Sequence, residues 1–247
     1  MFGFLIHTHT DCKDIWPPFF GRLDKYFPEH SKKVLVNCED DFLTPYEISY
    51  YDQKSEYTSR IKNALLPLGD QIILFSHEDM ILYDTPLYNT LEEYCDLIKN
   101  DKVDFIKLLK CKDTPGDFNF PVSDIHPNLS PCPKEYSFTI QPTLCKASKL
   151  LDVFSSCAPT NIWDFEAKVF SIFTNFKHNK CYMSSFKEER KRGLAHWDSV
   201  AYPHGNMIYK GKWTYNEYPT EIKTLCGEYG IDFNENPPKK CINFIVV

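Results

Sequence analysis

No apolar run in the sequence of 247 residues approaches the roughly 18 residues needed to span a bilayer. The first six residues are too short for a secretory signal and lack its basic start, which favours a cytoplasmic protein. Ten cysteines are present, but none forms a Cys-x-x-Cys pair, so a structural zinc site has little support. Without an export signal, the thiols are expected to be reduced, and most are expected to be small buried hydrophobic side chains.

A positive charge excess is also absent, since the net charge is −6. A nucleic-acid partner held by bulk electrostatics is therefore not expected, and neither is strong attraction to anionic lipid. The hydrophobic content of 43% and charged content of 25% are ordinary for a soluble globular protein with a sizeable core. Aromatic residues reach 15%, which is high. Most should pack in the core, but some could line a sugar or base site.

Apolar segments of two kinds alternate along the first 110 residues. Strands are predicted at 2–6, 33–37, 72–75 and 103–109, and helices at 15–27, 57–66 and 86–100. Alternation of strand and helix is typical of a mainly parallel, doubly wound α/β sheet with right-handed crossovers.

The character of the sequence changes after residue 110. Residues 111–134 are rich in Pro, Asp and Asn and are predicted to form a long loop, which in a compact domain is more often functional than idle. Further predictions are a strand at 136–141, helices at 146–154 and 159–173 with Thr160 or Asn161 as N-cap, a solvated charge run at 187–192, and an edge strand near 244–247.

The most informative segment is the end of the strand predicted at 72–75. It stops at His77, Glu78 and Asp79, after which apolar residues resume at once. Two carboxylates at the end of a buried strand are costly unless a cation or a ligand compensates them. Ligands of open α/β sheets bind outside the carboxyl ends of strands, so this pattern indicates a divalent metal such as Mg²⁺ or Mn²⁺. The alternative is a salt-bridged strand end.

A second polar strand end, residues 7–11, contains His7 and His9. A His-x-His pair at the end of a first strand is a plausible transition-metal site, and it resembles the opening motif of amidohydrolases and PHP-type phosphoesterases. Those families need further histidines at later strand ends, whereas the later histidines here are scattered singly. The alternative is that this strand end contacts a nucleotide base or ribose.

Two later segments carry candidate chemistry. Asp164 and Glu166 open a predicted helix, where a general base could face a pocket, although acidic residues are common at helix starts. In the segment 202–213, Gly205 permits a tight turn or a close backbone approach. His204 could bind a metal or, with two following lysines, a phosphate, and the alternative is a surface hairpin.

The order of these pieces resembles small GT-A-fold glycosyltransferases found in bacterial surface-polysaccharide clusters and in large DNA viruses. Similar blocks lie at 11–20, 25–28, 57–65, 77–82, 136–144, 161–166 and 204–213. The similarity spans about residues 2–213, and the ordered set is more specific than any single motif. One departure stands out, because the Asp-x-Asp-type element of such enzymes is His77-Glu78-Asp79 here.

The resemblance implies a GT-A (Rossmann-like) three-layer α/β/α fold with a mainly parallel central sheet. It implies a single domain, residues 1–247, whose first 110 residues bind the nucleotide sugar and whose remainder binds the acceptor. The expected donor is a UDP-, GDP- or dTDP-sugar, and the expected acceptor is a glycan or glycoconjugate. A cytoplasmic or virus-encoded enzyme without a transmembrane segment fits this reading.

The resemblance also implies roles for particular residues. Donor contacts are expected from His7, Thr8, His9, Asp11, Arg60, His77 and Glu78. A cofactor of Mn²⁺ or Mg²⁺ would be held by Asp79, Glu78 and His204. Asp164 or Glu166 would be the catalytic base that deprotonates the acceptor hydroxyl, which implies inversion at the anomeric carbon.

Two other functions stay open at this point. One is a metal-dependent phosphoesterase or amidohydrolase-like hydrolase that uses His7 and His9. The other is a non-catalytic sugar-binding module.

Overall fold

The structure is a computed structural model, and it describes residues 2–28, 34–40, 45–110, 121–133, 138–175, 180–192, 197–209 and 212–231. The strands are β1 Gly3–His7, β2 Val34–Cys38, β3 Glu47–Tyr50, β4 Ile72–His77, β5 Met80–Leu82, β6 Phe105–Lys107, β7 Leu129–Pro131, β8 Thr143–Lys146, β9 Cys181–Ser184, β10 His204–Asn206, β11 Ile208–Tyr209 and β12 Lys212–Trp213. The α-helices are α1 Trp16–Tyr26, α2 Tyr57–Leu65, α3 Tyr88–Lys99, α4 Ala147–Ser155, α5 Ile162–Asn175 and α6 Pro219–Glu228.

Eight of the strands in the described segments form one central sheet in the order β3-β2-β1-β4-β8-β6-β9-β7. The pairs β3–β2, β2–β1, β1–β4 and β6–β9 are parallel, and β4–β8, β8–β6 and β9–β7 are antiparallel. The carboxyl ends of β1, β2, β4 and β6 therefore lie on one edge of the sheet, called the carboxyl edge below. Strands from both halves of the chain share this sheet.

Helices cover both faces of the sheet. Successive strand residues point to opposite faces, so Phe4 and Ile6 of β1 join one buried cluster and Leu5 joins the other. The first cluster is closed by α1, α3 and α6, and the second by α2, α4 and α5. Both strand faces are apolar because both are buried. The predicted three-layer α/β/α fold with a mainly parallel sheet is thereby confirmed.

Local sequence signals explain several helix boundaries. Prolines stand in the first turn of α1, where their missing N–H groups cost nothing. Asn161 caps α5, because its Oδ1 accepts a hydrogen bond from the backbone N–H of Asp164 at 2.9 Å. Of the two N-caps expected for this helix, the structure selects Asn161.

The alternating strands and helices predicted for the first 110 residues are all present, with two strands added. β3 carries no buried residue, so its sequence lacks the apolar run that marks the other strands. β5 follows β4 after only Glu78 and Asp79, and it pairs with β10 outside the central sheet.

The strand predicted at 136–141 is wrong where the structure describes it. Residues 138–141 have no regular structure, and the strand β8 begins only at Thr143. Phe138 and Ile140 are nevertheless buried in the second cluster, so their apolar character reflects packing of an irregular segment. Of the loop predicted at 111–134, residues 121–133 are described and contain β7. The edge strand proposed near 244–247 lies outside the described residues.

The charge run at 187–192 is only partly solvated. Lys187, Glu188 and Arg190 are exposed as expected, but Glu189 is buried. Its carboxylate lies 3.0 Å from the Lys110 ammonium and also accepts backbone hydrogen bonds from Phe186 and Val200. A buried charge of this kind is tolerated because it is paired.

Within the described ranges, the structure contains no helix that combines the length and the apolar character required for a membrane span. The eight cysteines in these ranges form no disulfide with one another, and five of them are buried, at positions 38, 95, 145, 157 and 226. Burial of these five agrees with the expectation that most thiols serve as small hydrophobic side chains.

Candidate active site

The candidate site lies where the sheet changes its winding direction. The chain runs from β1 outward to β2 and β3, and then returns to β4 on the other side of β1. The last residues of β1 and β4, His7 and His77, are paired in register. Adjacent parallel strands whose connections leave in opposite directions create a crevice at their carboxyl ends, where ligands of open α/β sheets bind.

His7 and His77 are held as neutral rings in this crevice. The Nδ1 of His7 lies 2.7 Å from Asn37 Oδ1, an acceptor, so Nδ1 carries the proton and Nε2 is left as an acceptor. Burial lowers the pKa of His7 to about 4. Burial also holds the pKa of His77 well below its usual value, and the Tyr57 hydroxyl lies 3.0 Å from its Nε2. The His7 and His77 ring centroids are 5.2 Å apart.

A hydrogen-bond network around Glu39, just after β2, borders His7, whose ring centroid lies 5.4 Å from that of Tyr51. Its carboxylate accepts bonds from the N–H and hydroxyl of Thr10 at 2.8 and 2.7 Å, and from the Tyr51 hydroxyl at 2.8 Å. Burial by itself raises the pKa of Glu39, but these hydrogen bonds together outweigh it and lower that pKa to about 2.

Arg60 lies at the side of this network. Its guanidinium stacks 4.6 Å from the Tyr51 ring and donates to two backbone carbonyls, of Gln53 and Ser55. These contacts orient it beside the crevice, so it could reach a ligand there only at the cost of some of them.

Glu78 turns toward the segment that follows β1. Burial raises the pKa of its carboxyl, and hydrogen bonds from the side chains of Cys12 and Thr8 partly oppose that rise. Thr8 is itself fixed, because its hydroxyl oxygen accepts the indole N–H of Trp16 at 2.7 Å. Glu78, one of the two carboxylates predicted at this strand end, is therefore held in a hydrogen-bonded cluster with Thr8 and Cys12.

Asp79 is the carboxylate whose surroundings best fit a cation. Burial and the neighbouring Glu78 raise its pKa to about 8. Its Oδ1 atom is buried and has no hydrogen-bond partner among the described atoms. In the same ranges, no lysine or arginine forms an ion pair with Glu78 or Asp79, so the alternative of a salt-bridged strand end has no support. An orphaned buried carboxylate oxygen is a suitable ligand for Mg²⁺ or Mn²⁺.

The structure separates the two carboxylates predicted as bases. Asp164 is exposed, and its side chain accepts a hydrogen bond from Asn161 at 3.0 Å in the cap of α5. Glu166 is partly buried, and its charge influences both Tyr57 and Asp79. Burial raises the pKa of Glu166, although the backbone N–H of Ile140 donates to it at 3.2 Å. Glu166 therefore lies within electrostatic reach of Tyr57 and Asp79, and Asp164 serves the helix.

Stacked aromatic rings place Glu166. The neighbouring Phe165 is fully buried and stacks on Phe154 of α4 with ring centroids 4.4 Å apart and planes within 9°. Tyr57 packs against both rings. The start of α5 is thus tied to α2 and α4, which fixes Glu166 near the carboxyl edge.

His204 is buried in the first cluster rather than exposed on a hairpin. Its Nδ1 lies 2.6 Å from the carbonyl of Tyr202 and donates to it. It pairs with Leu82, three residues beyond Asp79 and about 10 Å along the strand at ordinary strand spacing. The contacts therefore do not bring His204 to the acidic pair. The expected close approach at Gly205 is confirmed, because a Cβ there would lie 2.8 Å from the Tyr218 ring.

His9 and Asp11 form the rim of the site. Both side chains are roughly half exposed, and His9 Nδ1 lies 3.8 Å from the Asp11 carboxylate. In the described part of the chain, the one group of side chains with metal-ligand spacing joins His9, Cys12 and Glu78. His7 does not belong to that group of three, and the His7–His9 metal pair stays a prediction.

A cavity of about 1190 Å³ lies away from this crevice, among residues at the starts of β1, β2 and β3. Its wall includes Pro28, Val34 and Pro45, which flank segments outside the described ranges.

No protein-family model and no curated protein matches the sequence. Among solved structures, the chain is similar to Staphylococcus aureus TarS, with 12% identity and a TM-score of 0.48 over 93% of this chain and 39% of TarS. It is also similar to a UDP-glucose pyrophosphorylase solved with UDP-glucose, with 9% identity and a TM-score of 0.49 over 94% of this chain and all of that one. Identity and overlap at these levels do not fix an activity.

Residues outside the sequence-based set also build the site. Asn37 and Glu39 follow the apolar run of β2, which is the same signal that identified residues 77–79. Tyr51 and Tyr57 do not follow an apolar run, so the sequence does not mark them. The fold brings their ring centroids to 5.4 and 5.2 Å from that of the His7 ring. Lys107, at the end of β6, is fully buried, and its charge partly opposes the rise that burial causes in the pKa of Glu166.

Proposed function

We propose that the protein is a glycosyltransferase that moves a sugar from a nucleotide-sugar donor to a hydroxyl of a glycan or glycoconjugate acceptor. The observation that supports this most is the crevice between β1 and β4. It combines the neutral ring of His7, which suits a nucleobase, with the buried carboxylate of Asp79, which suits a cation. A second carboxylate of raised pKa, Glu166, lies nearby. A nucleoside diphosphate sugar presents a nucleobase to the neutral ring and a diphosphate to a bound cation. The acceptor hydroxyl presents its proton to the second carboxylate.

The base and ribose of the donor bind at the end of β1. The free Nε2 of His7 accepts a hydrogen bond from a ring N–H of the base, and the rings of Tyr51 and Tyr57 border it. Asp11 and Arg60, at the rim, contact the ribose or a phosphate. Neutral histidines fit this role because a base offers both donors and acceptors without charge.

The diphosphate lies over Asp79, with Glu78 beside it. Asp79 would hold a divalent cation here, and the bound cation would compensate the charge of the leaving diphosphate. The burial that raises the pKa of Asp79 to about 8 makes that carboxylate favour a cationic partner.

Glu166 acts as the base. The acceptor oxygen attacks the anomeric carbon as its bond to the diphosphate breaks, and the diphosphate leaves with the electron pair. Glu166 takes the acceptor proton, and its raised pKa brings it closer to the working pH, as a general base requires. Attack opposite the leaving group inverts the anomeric configuration.

The test is a thermal-shift screen of UDP-, GDP- and dTDP-sugars, each with and without Mn²⁺. A true donor present at 100 times its Kd should stabilise the protein by about 2.7 kcal/mol. Asp79→Asn should remove the part of the shift that depends on Mn²⁺, whereas the exposed carboxylate variant Asp96→Asn should retain it.

Two results would contradict the proposal. The first is that no nucleotide sugar stabilises the wild-type protein at any concentration tested. The second is a donor shift that Asp79→Asn leaves intact together with its dependence on Mn²⁺. Turnover of simple phosphate esters without any nucleotide-sugar binding would favour the phosphoesterase alternative instead.

A further inference from the structure

Three side chains of different chemistry meet beside the crevice. One ligand atom each from His9, Cys12 and Glu78 lies within 4.8 Å of the other two. The Cys12 sulfur is 3.4 Å from His9 Nε2, and it also donates a hydrogen bond to the Glu78 carboxylate. An imidazole, a thiol and a carboxylate are thus gathered around one point.

The backbone holds this arrangement in place. His9 and Cys12 bracket a single turn, in which the N–H of Cys12 donates to the carbonyl of His9 at 2.8 Å. Glu78 arrives from the turn between β4 and β5 and is more than nine-tenths buried. Its carboxylate accepts hydrogen bonds from the side chains of Cys12 and Thr8, and Thr8 is itself fully buried.

We propose that His9, Cys12 and Glu78 form a site for a divalent transition metal, with Zn²⁺ as the favoured ion. Thiolate and imidazole ligands select Zn²⁺ or Co²⁺ over Mg²⁺, which prefers an all-oxygen shell. Three protein ligands leave a fourth, open position for water, as in catalytic zinc sites. On binding, the Cys12 thiol loses its proton to solvent and a sulfur–metal bond forms.

This site is distinct from the hard-cation role of Asp79. Glu78 directs its carboxylate toward Cys12 and Thr8, whereas Asp79 keeps an oxygen without a described partner. Binding of Zn²⁺ to these three side chains does not require a sugar donor. The zinc site can therefore be tested with metal ions alone, independently of the proposed glycosyl transfer.

The experiment uses the full chain, freed of metal by a chelator that is then removed. Co²⁺ is titrated while the thiolate-to-metal charge-transfer absorption is recorded, and Zn²⁺ affinity is then measured by competition with a chromophoric chelator. Cys12→Ser, His9→Gln and Glu78→Gln are compared with Cys132→Ser. Cys132 is also partly exposed but follows β7 at the far end of the sheet.

The wild-type protein should bind one Zn²⁺ per chain and show the charge-transfer band. Cys12→Ser should abolish the band, and each of the three ligand variants should weaken Zn²⁺ binding by more than the roughly 10- to 100-fold that loss of an outer-sphere partner costs. Cys132→Ser should match the wild type. Absence of the band in the wild type, or its survival in Cys12→Ser, would overturn the proposal.

A misfolded variant cannot be mistaken for a lost ligand, because far-ultraviolet circular dichroism is recorded for each one. His9→Gln provides an independent check, since its side chain is 41% exposed and contributes little to the core. If His9→Gln is folded and still binds Zn²⁺ with wild-type affinity, the assigned ligand set is wrong.

Discussion

Single residues at the carboxyl edge are distinguished by the environment that burial creates around them. Glu39 and Asp79 are both acids at strand ends, but their pKa values move in opposite directions. Hydrogen bonds donated chiefly by Thr10 and Tyr51 stabilise the charge of Glu39, whereas burial and a neighbouring carboxylate destabilise that of Asp79. Residue type alone therefore does not tell which acid is prepared for a cation.

The proposed base can be tested by separating Glu166 from Asp164. Glu166→Gln should reduce turnover by about 100-fold or more, the range usual for loss of a general base, while donor binding stays normal. Asp164→Asn should keep its turnover, because Asp164 is exposed and serves the cap of α5. Steady-state rates and donor thermal shifts measure the two effects, and wild-type rates in Glu166→Gln would rule out this base.

The buried His7 should make the protein sensitive to mild acid. Its pKa is about 4 when folded and near 6.5 when unfolded, so the unfolded state binds the proton first as pH falls. The contribution of His7 to stability should therefore be complete above pH 6.5 and should fall toward pH 4, by up to about 1.4 kcal/mol per pH unit. His77 acts in the same direction. The raised pKa of Asp79 acts in the opposite direction over this range, so the His7 contribution is read from the difference between wild type and variant.

Urea unfolding at several pH values checks this expectation. His7→Gln should remove the His7 contribution between pH 6.5 and 4, leaving the opposing parts due to His77 and to the acids of raised pKa, chiefly Asp79. Glu39→Gln is the matched control, since the depressed pKa of Glu39 adds stability that is lost only below about pH 4.5. If His7→Gln keeps the full wild-type slope, the assigned titration is incorrect.

At the scale of elements, the predictions succeeded where an apolar run was bounded by polar residues. β1, β2 and β4 are such runs, and α1, α2 and α3 carry apolar residues at helical spacing. They failed at 138–141, where buried Phe138 and Ile140 pack without forming a strand. Apolar spacing records burial, and it cannot separate a strand from an irregular buried segment.

A buried ion pair between Lys110 and Glu189 anchors the segment after β9, although the sequence predicts a solvated charge run there. Glu189→Gln should destabilise the fold by about 3–5 kcal/mol, because Lys110 is then left charged and buried without its partner. The double variant Glu189→Gln with Lys110→Met should recover part of this loss. The exposed pair of Lys146 and Asp101 is the control, and Asp101→Asn should leave stability nearly unchanged.

Urea unfolding of the wild type, the single variants Glu189→Gln and Lys110→Met, and the double variant gives the coupling between Lys110 and Glu189 directly. If Glu189→Gln lowers the free energy of unfolding no more than Asp101→Asn does, the Lys110–Glu189 pair does not anchor the segment. Lys110 also lies 5.2 Å from the Trp197 ring, so its replacement by methionine retains an apolar contact there.

At the scale of the whole molecule, the site depends on contacts between distant parts of the chain. β8, from the second half, lies between β4 and β6 of the first half. Glu166 is held beside the carboxyl edge because α5 stacks on α4 and on Tyr57 of α2, which lies more than 100 residues earlier in the sequence. A division into a donor half and an acceptor half describes the sequence order, whereas the sheet joins both halves.

The amino-acid sequence by itself determined the α/β class, the strand ends and the acidic pair, because hydrophobic runs and buried charges are local signals. Only the tertiary structure decided that His7 and His77 are partners, that Glu166 lies within electrostatic reach of Asp79, and that Glu78 meets Cys12 and His9. Those choices depend on strand order and helix packing, which arise from contacts far apart in sequence and are encoded by no single segment.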